Sequence, residues 1–294
     1  MIIGIGAASG RLGRCVLEEL VSAPQEKEIV AIVRNTENFQ FDGAEVRSGD
    51  YNSVDEMTQA LKGVDIFLMI SAPVALEVDR IKQHKNAITA AVAAGVQKVV
   101  FTSVIGNGLE ESTMFAETQH VNRQTEEDLK SSGLEWIIGR SGLYLDLDLL
   151  HILRANQEEG VYSNNGGDGR CGYISIAALG YAFAQLCLLE DCNGLMLNLV
   201  GKTYTQTELV NMANKVFGLN VRYQPITTQE NIARFMKDEK ISARGEKVAR
   251  MLSGCFECIN IGAYDVESHY FQAAGRDVCL LEEEMELIRD NPRT

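Results

Sequence analysis

Residues 1–13 read MIIGIGAASGRLG, and this stretch decides the fold of the chain. Residues 2–5 are a short apolar run that predicts a strand, and residues 11–21, RLGRCVLEELV, predict an amphipathic helix. Gly6, Gly10 and Gly13 lie in the turn between them. Glycines let a pyrophosphate approach the backbone closely, and the free N–H groups at a helix start bind anions. We therefore predict a phosphate-binding turn at the first helix.

The spacing of the glycines departs from the usual dinucleotide pattern. That pattern is GxGxxG, whereas Gly4, Gly6, Gly10 and Gly13 form GxGxxxGxxG, with one residue more before the third glycine. Ser9 adds a hydroxyl within reach of a phosphate oxygen. The turn is thus expected to contain an inserted residue.

The end of the second predicted strand indicates which dinucleotide binds. Residues 28–33, EIVAIV, are followed by Arg34, where a cofactor without a 2′-phosphate usually meets an acidic residue. An arginine fork suits a phosphate dianion. The sequence therefore favours NADP(H) over NAD(H).

Strands and helices alternate through the first half of the chain, which predicts a parallel sheet with helices on both faces. The apolar strand candidates are MIIGI, EIVAIV, AEVRSG, VDIFLMI, VQKVVFTS and LEWIIG. The segment ALEVDRIKQHKNAITAAVAAG predicts a helix that Gly95 ends. The fold class we predict is α/β, a doubly wound Rossmann sheet of at least six strands.

Helical patterns dominate from about residue 141 onward. They are YLDLDLLHILRANQEE, AALGYAFAQLCLLE, TQTELVNMANKVFG, QENIARFMKDEK and an acidic helix ending near Pro292, with short strands LMLNLV and NVRYQP between them. We predict an NAD(P)-binding domain over residues 1–140. Residues 141–294 would form a smaller, mainly helical substrate-binding part, with a late strand near 194–200 returning to the sheet.

The composition limits the partners. The net charge of −14 disfavours nucleic acid and anionic membranes, because both would repel such a surface. No apolar run is long enough to span a bilayer, and the N-terminus does not have the pattern of a signal peptide, so we expect a cytoplasmic protein. Seven scattered cysteines, with only Cys255 and Cys258 as a CxxC pair, predict no metal site. The expected partner is a small molecule, and the chain is expected to be a monomer or a homodimer.

Candidate site residues follow the predicted strands, because ligands of such sheets bind outside the carboxyl ends of the strands. Asp50 could accept a hydrogen bond from an adenine amine, and Tyr51 could pack on the adenine ring. Ser71, Ala72 and Pro73 would pass the nicotinamide ribose. Thr102 and Ser103 expose hydroxyls after the fifth strand.

Several segments together resemble one family. They are the glycine turn, VRN, GDYNSVDEM, VVFTSVIG, HVNRQTEEDLKSSGLEWIIGRSGLYLD and NNGGDGRCGYISIAALGYAFA, which span nearly the whole chain. The chain resembles the NmrA-like branch of atypical short-chain dehydrogenases, and within it the bacterial NAD(P)H:quinone oxidoreductases of type 2. Two departures are visible. The family usually reads GATGxxG where this chain has GAASGRLG, and ISIAALGYA has alanines where the family often has an Asp.

The resemblance implies a cofactor site and a segment that closes over the nicotinamide. That segment is residues 140–144, with Arg140 and Tyr144. The implied cofactor residues are Gly6, Ser9, Gly10, Arg11, Leu12, Gly13, Arg34, Asp50, Tyr51, Ser71, Ala72 and Ser103.

A missing dyad bears on the mechanism. Ordinary short-chain dehydrogenases use Tyr-xxx-Lys, and no tyrosine of this chain has a lysine four residues on. The helix that would carry the dyad has Glu117 and His120 as proton carriers. We predict His120, Ser103 and Tyr144 as catalytic residues, with NADP(H) as cofactor and no flavin or metal.

Three functions remain open at this point. The first is an NADPH-dependent oxidoreductase that transfers a hydride to a quinone or similar small electrophile. The second is a non-catalytic NAD(P) sensor, which the missing dyad would suit. The third, an enzyme resembling nucleotide-sugar epimerases, is disfavoured by the absence of the tyrosine.

Overall fold

The computed structural model of the chain describes residues 1–73, 79–190 and 192–291. Its central sheet contains seven strands, all parallel to their neighbours. The strands are β1 (Ile2–Ile5), β2 (Glu28–Val33), β3 (Glu45–Ser48), β4 (Ile66–Met69), β5 (Lys98–Val104), β6 (Glu135–Ser141) and β10 (Leu195–Leu199). The first six lie where the sequence predicts strands.

The strand order is β10-β6-β5-β4-β1-β2-β3. The order reverses between β1 and β4, which is the switch point where doubly wound sheets bind ligands. The predicted α/β Rossmann fold is confirmed. Its strands are almost continuously apolar because the sheet is covered on both faces.

Two layers of helices cover the sheet. One face packs on α2 (Val54–Ala60), α3 (Arg80–Ala94) and α4 (Ala116–Lys130). The other packs on α1 (Arg11–Ser22), α6 (Ile176–Leu188) and α11 (Tyr270–Ala274). Gly95, at φ 77°, ends α3 in the left-handed conformation, as the sequence predicts.

A second hydrophobic core lies beyond the sheet. Its helices are α5 (Leu145–Gln157), α7 (Gln206–Phe217), α8 (Thr228–Phe235), α9 (Glu239–Ser242), α10 (Glu246–Asn260) and α12 (Leu281–Asp290). Its short strands are β7 (Leu143–Tyr144), β8 (Val161–Asn164), β9 (Arg170–Ile174), β11 (Thr203–Thr205) and β12 (Arg222–Pro225). They form the sheets β11-β9-β7 and β12-β8. Pro292, where the sequence predicts the last helix to end, lies outside the described residues.

Helix α6 and strand β10 belong to the sheet and its helices, because α6 packs on α1 and β10 pairs with β6. The division at residue 140 stays a prediction. In the described part of the chain, no helix is both long and apolar enough to cross a membrane. The same part contains no group of three or more His, Cys, Asp or Glu side chains that could hold a metal ion.

Candidate functional site: a glycine turn and a buried ion-pair network

The glycine turn is hydrogen-bonded to β2 and β4, the two strands on either side of β1. The Gly6 N–H donates to the Leu68 carbonyl at 2.9 Å, and the Ala8 N–H donates to the Ile32 carbonyl at 3.2 Å. A Cβ on Gly6 would collide with the Tyr51 hydroxyl. The turn therefore lies at the carboxyl edge of the sheet, between β2 and β4, and Gly6 admits no side chain.

Ala7 explains the unusual spacing of the glycines. Its φ is 50°, and no other non-glycine residue in the described part of the chain has a positive φ. An L-residue pays roughly 1–2 kcal/mol in this left-handed region, which glycine enters freely. Counted from Ala7, AASGRLG matches GATGxxG position by position. The expectation of an inserted residue is therefore wrong. The turn has the usual length, and alanine stands where the motif has its first glycine.

The N-terminus of α1 is open. Gly10 is its N-cap and provides no side-chain hydrogen bond. The N–H groups of Arg11, Leu12 and Gly13 have no acceptor among the residues that the structure describes. By contrast, Ser53 caps α2 by accepting from the Glu56 N–H at 3.2 Å. Uncapped N–H groups at the positive end of a helix are donors for an anion.

Gly10 and Gly13 differ in what a side chain at each position would contact. Among the described residues, a Cβ on Gly10 would meet only the Ala7 carbonyl oxygen, at 3.3 Å, so it would project away from the turn. A Cβ on Gly13 would lie 2.8 Å from backbone atoms of Ala7 and Ala8. Gly13 therefore allows α1 to pack against the turn, and Gly10 leaves room for a ligand. Ser9, the residue before Gly10, is exposed. The turn fits a pyrophosphate.

Two arginines follow β1 and β2 with guanidinium groups that have no partner among the described residues. Arg34 directly follows β2, is exposed, and has no hydrogen bond or ion pair with the described residues. Arg11, in the first turn of α1, is also exposed and without such a partner. Arg14 differs, because its guanidinium stacks on Phe39 at 4.7 Å from the ring centroid. Arg34 and Arg11 are thus available to a ligand phosphate.

Asp50 and Tyr51 are placed differently from each other. The Asp50 carboxylate is half-exposed and accepts from the Asn52 backbone and side-chain nitrogens, both at 2.9 Å. Tyr51 is buried, its hydroxyl donates to the Ile70 carbonyl at 3.1 Å, and burial raises its pKa. The Tyr51 side chain thus packs against Gly6 and leaves little ring surface on which an adenine could stack.

The loop after β4 is held by side chains. The Ser71 N–H donates to the Thr102 hydroxyl at 2.9 Å, and the Ala72 N–H donates to His84 Nε2 at 2.9 Å. Arg80 Nε donates to the Ala72 carbonyl at 2.9 Å. These backbone groups are therefore already paired. Pro73, at the end of this described stretch, is exposed.

His84 is neutral in this arrangement. Because its Nε2 accepts a hydrogen bond, its Nδ1 carries the proton and donates to the Thr125 hydroxyl at 2.8 Å. Burial, with the neighbouring Arg80, lowers the pKa of His84 to about 3. His84 therefore positions the Ser71–Ala72 loop without titrating near neutral pH.

Ser103 belongs to a buried ion-pair network. Its hydroxyl donates to Glu126 Oε1 at 2.6 Å. Arg140, the register partner of Ser103 on β6, donates to both carboxylate oxygens of Glu126, at 3.0 and 2.6 Å. Arg123, one turn before Glu126 on α4, donates to Oε1 at 2.8 Å. Two arginines and one serine thus surround a single carboxylate.

The charges of this network determine what Ser103 can do. Burial alone would raise the pKa of Glu126, but the hydrogen bond from Arg140 and the charge of Arg123 lower it overall. The side chain is therefore a carboxylate, which only accepts hydrogen bonds. The Ser103 proton must then point at Glu126, so Ser103 offers a lone pair to a ligand. The Arg140 guanidinium is likewise committed to Glu126.

The other two candidate catalytic residues lie near this network in the chain. His120 is an exposed residue of α4, one helical turn before Arg123. Tyr144 is half-buried at the start of α5, and burial, followed by the charge of Asp146, raises its pKa to about 12. Glu117, the second proton carrier considered on α4, forms an ion pair with Lys247 at 2.7 Å. His120 has no such partner in the described chain.

Sequence reasoning missed Arg123, Glu126, His84 and Arg80. The available signal was periodicity on α4, whose buried polar residues Gln119, Asn122 and Glu126 recur at helical spacing. Polar residues at that spacing usually mark a solvated face. The buried carboxylate of Glu126 is stabilised by Arg123 together with Ser103 and Arg140, and the contacts with Ser103 and Arg140 are not local in sequence.

Comparisons with known proteins agree with this geometry. A family model described as NAD(P)H-binding matches residues 7–159. Quinone oxidoreductase 2 of Escherichia coli is 33% identical over 230 residues, covering 77% of this chain and 78% of that protein. An NmrA-like family domain-containing oxidoreductase of Aspergillus flavus is 28% identical over 232 residues, covering 77% of this chain and 75% of that protein.

Solved structures resemble the chain over nearly its full length. The NADPH complex of the E. coli quinone oxidoreductase superimposes with a TM-score of 0.84 at 29% identity, covering 98% of this chain and 100% of that one. The NADP(H) complex of a Citrobacter triphenylmethane reductase gives a TM-score of 0.84 at 27% identity, covering 99% of each chain.

The parallel sheet, its switch point and the open glycine turn define a Rossmann-type dinucleotide-binding protein. With the comparisons, the chain belongs to the NAD(P)H-binding family, in the NmrA-like group of NAD(P)H-dependent oxidoreductases that includes quinone oxidoreductase 2. The family resemblance drawn from the sequence is thereby confirmed.

Proposed function

We propose that the protein is an NADPH-dependent reductase of quinones or similar small electrophiles. The observation that carries the proposal is the uncapped N-terminus of α1, together with Arg34 at the end of β2, which has no partner among the described residues. Support comes from the E. coli relative, which is named a quinone oxidoreductase and was solved with NADPH. When bound, the reduced nicotinamide supplies a hydride.

The residues of the chain would bind the cofactor, orient the ligands and protonate the reduced quinone. The N–H groups of Arg11, Leu12 and Gly13 would hold the pyrophosphate, and Arg34 would pair with the 2′-phosphate. The lone pair of Ser103 would accept a hydrogen bond from the bound ligands. A reduced quinone is an anion that needs a proton, and the exposed imidazole of His120 would deliver it. Tyr144, neutral at physiological pH, would border the acceptor.

The direct test is NADPH oxidation in the presence of a panel of benzoquinones and naphthoquinones, against a blank without acceptor. We expect steady consumption that depends on both protein and quinone, with quinol as product. Tight NADPH binding without turnover of any acceptor would contradict the proposal. That result would favour the non-catalytic sensor, which the missing Tyr-xxx-Lys dyad would suit.

Arg34→Ala should reduce the preference for NADPH over NADH. The expected change is roughly 1–3 kcal/mol in relative binding free energy, the range for a charge-assisted pair. Titration calorimetry of both cofactors measures it. NADH affinity in the same variant is the internal control and should hardly change. Equal affinities for NADPH and NADH in the unaltered protein would refute the assignment of Arg34 to the 2′-phosphate.

His120→Ala should lower quinone turnover by about 10- to 100-fold, because water replaces a positioned acid poorly. NADPH affinity should stay the same, since His120 need not contact the phosphates. Glu127→Ala is the matched control, because Glu127 is exposed on the same helix and paired with Lys130. Full turnover in the His120 variant would show that protons come from solvent.

A further inference from the structure

We propose that Arg123 stabilises the negative charge that develops on a neutral acceptor. This inference rests on the proposed function and narrows its substrate class. Acceptors that become anionic on taking a hydride, such as quinones, would be favoured over acceptors that are cationic before they react. Ordinary short-chain dehydrogenases polarise the acceptor with a tyrosine–lysine dyad, which this chain does not have. Arg123 would take over that role.

The position of Arg123 is the first argument. Its guanidinium donates to the Val104 carbonyl at 3.1 Å and lies 3.4 Å from the Ser103 hydroxyl. Both atoms are at the carboxyl end of β5, the edge on which such sheets bind their ligands. Arg123 therefore reaches the part of the edge that holds Ser103, a cofactor candidate.

The exposure of the charges is the second argument. The carboxylates that hold Arg123, Glu126 and Glu110, have side chains only 1% and 3% exposed, whereas the Arg123 side chain is 27% exposed. The two carboxylates are thus buried, whereas the guanidinium that they pair with is partly exposed. The Nε–H of Arg123 and one N–H of its Nη2 have no acceptor in the part of the chain that the structure describes, so these donors remain for a ligand.

The chemistry of the two acceptor classes is the third argument. A neutral quinone that takes a hydride becomes a hydroquinone monoanion, which then gains one proton to become the hydroquinone. A triarylmethane cation that takes a hydride at its central carbon becomes a neutral leuco compound and needs no proton. In both reactions the reduced cofactor leaves as the oxidised form. A fixed guanidinium, which does not give up its proton, stabilises the first product and opposes binding of the second acceptor.

The competing explanation is that Arg123 only neutralises the two buried carboxylates. Its removal would then harm folding or cofactor binding, and every acceptor would be affected alike. Comparing a neutral and a cationic acceptor in one preparation separates the explanations, because protein stability and NADPH binding cancel in the ratio of their rates.

The test measures kcat/KM for a neutral naphthoquinone and for the cationic dye crystal violet, at saturating NADPH. The variant is Arg123→Gln with Glu110→Gln, which removes one charge of each sign. We expect the quinone value to fall about 100-fold, as for loss of a directed oxyanion donor, while the dye value stays or rises. Arg123→Lys, which keeps the charge and stays closer to the native fold, should shift the ratio in the same direction but less.

The control is Glu127→Gln with Lys130→Gln, an exposed ion pair of 2.8 Å on the same helix, which should leave the ratio unchanged. Parallel loss of both activities in the Arg123 variants overturns the inference while the proposed quinone reduction stands. An unaltered protein that reduces the dye but no quinone overturns both. An unaltered protein that reduces neither acceptor overturns the proposed function, and the inference with it.

Discussion

A Gly10→Val variant should fold and yet lose NADPH affinity by at least about 100-fold. Gly10 has φ −72° and ψ 166°, an extended conformation that any residue adopts, and an added Cβ meets only the Ala7 oxygen, at 3.3 Å, within the described parts of the chain. The valine side chain would occupy the space in front of the open N–H groups, so a pyrophosphate could not reach them. Calorimetric titration of NADPH measures the loss, and thermal unfolding without cofactor checks the fold.

Gly13→Ala is the informative comparison for that experiment. Its Cβ would lie 2.8 Å from backbone atoms of Ala7 and Ala8, so α1 would have to move away from the turn. We expect a loss of about 1–3 kcal/mol in the free energy of unfolding, as for an overpacked core. A folded Gly10→Val variant with unchanged NADPH affinity would mean that the phosphates lie elsewhere.

Glu126→Gln should destabilise the fold by about 3–5 kcal/mol, the cost of leaving buried charges without their partner. The variant keeps the size of the side chain but deprives Arg140 and Arg123 of their shared carboxylate. Denaturant unfolding measures the change. Glu127→Gln, at the next position of α4, is the matched control. Its side chain is 66% exposed in an ion pair with Lys130, so a loss below about 0.5 kcal/mol is expected.

The pH dependence of this difference has a defined sign. The pKa of Glu126 is lower in the folded chain than in the unfolded one, so its contribution is present above the unfolded pKa. That contribution is lost as the pH falls through the folded pKa. The gap in stability between the unaltered protein and Glu126→Gln should therefore narrow in acid. A gap that is constant down to strongly acidic pH would show that lost packing, not lost charge, causes the destabilisation.

Local patterns were sufficient to predict most of the sheet. Strands such as β2 and β4 are apolar at nearly every position because both faces are covered, and Gly95 ends α3 by its own conformational freedom. The strands β7, β8, β9 and β11 were missed. They have only two to five residues each, and they form because neighbours distant in sequence pair with them.

The candidate site likewise has a part that local sequence patterns predict and a part that depends on contacts between distant residues. The glycine turn and Arg34 could be predicted because a single strand–turn–helix unit contains or adjoins them. The ion-pair network could not, since Glu126 is stabilised by Arg140 across α4 and β6. A carboxylate on a helix is ordinarily solvated, and nothing adjacent in the chain distinguishes Glu126 from its exposed neighbour Glu127.

Ala7 has a consequence for how relatives of this protein are found. The turn has the backbone of a glycine-first dinucleotide motif although its first position is alanine, because φ 50° at that position is held by the contacts of its neighbours with β2 and β4. A motif search that demands a glycine at each fixed position would reject this chain, whereas a search on backbone dihedral angles would accept it. The signature of such a site is therefore better written as a series of conformations than as a series of letters.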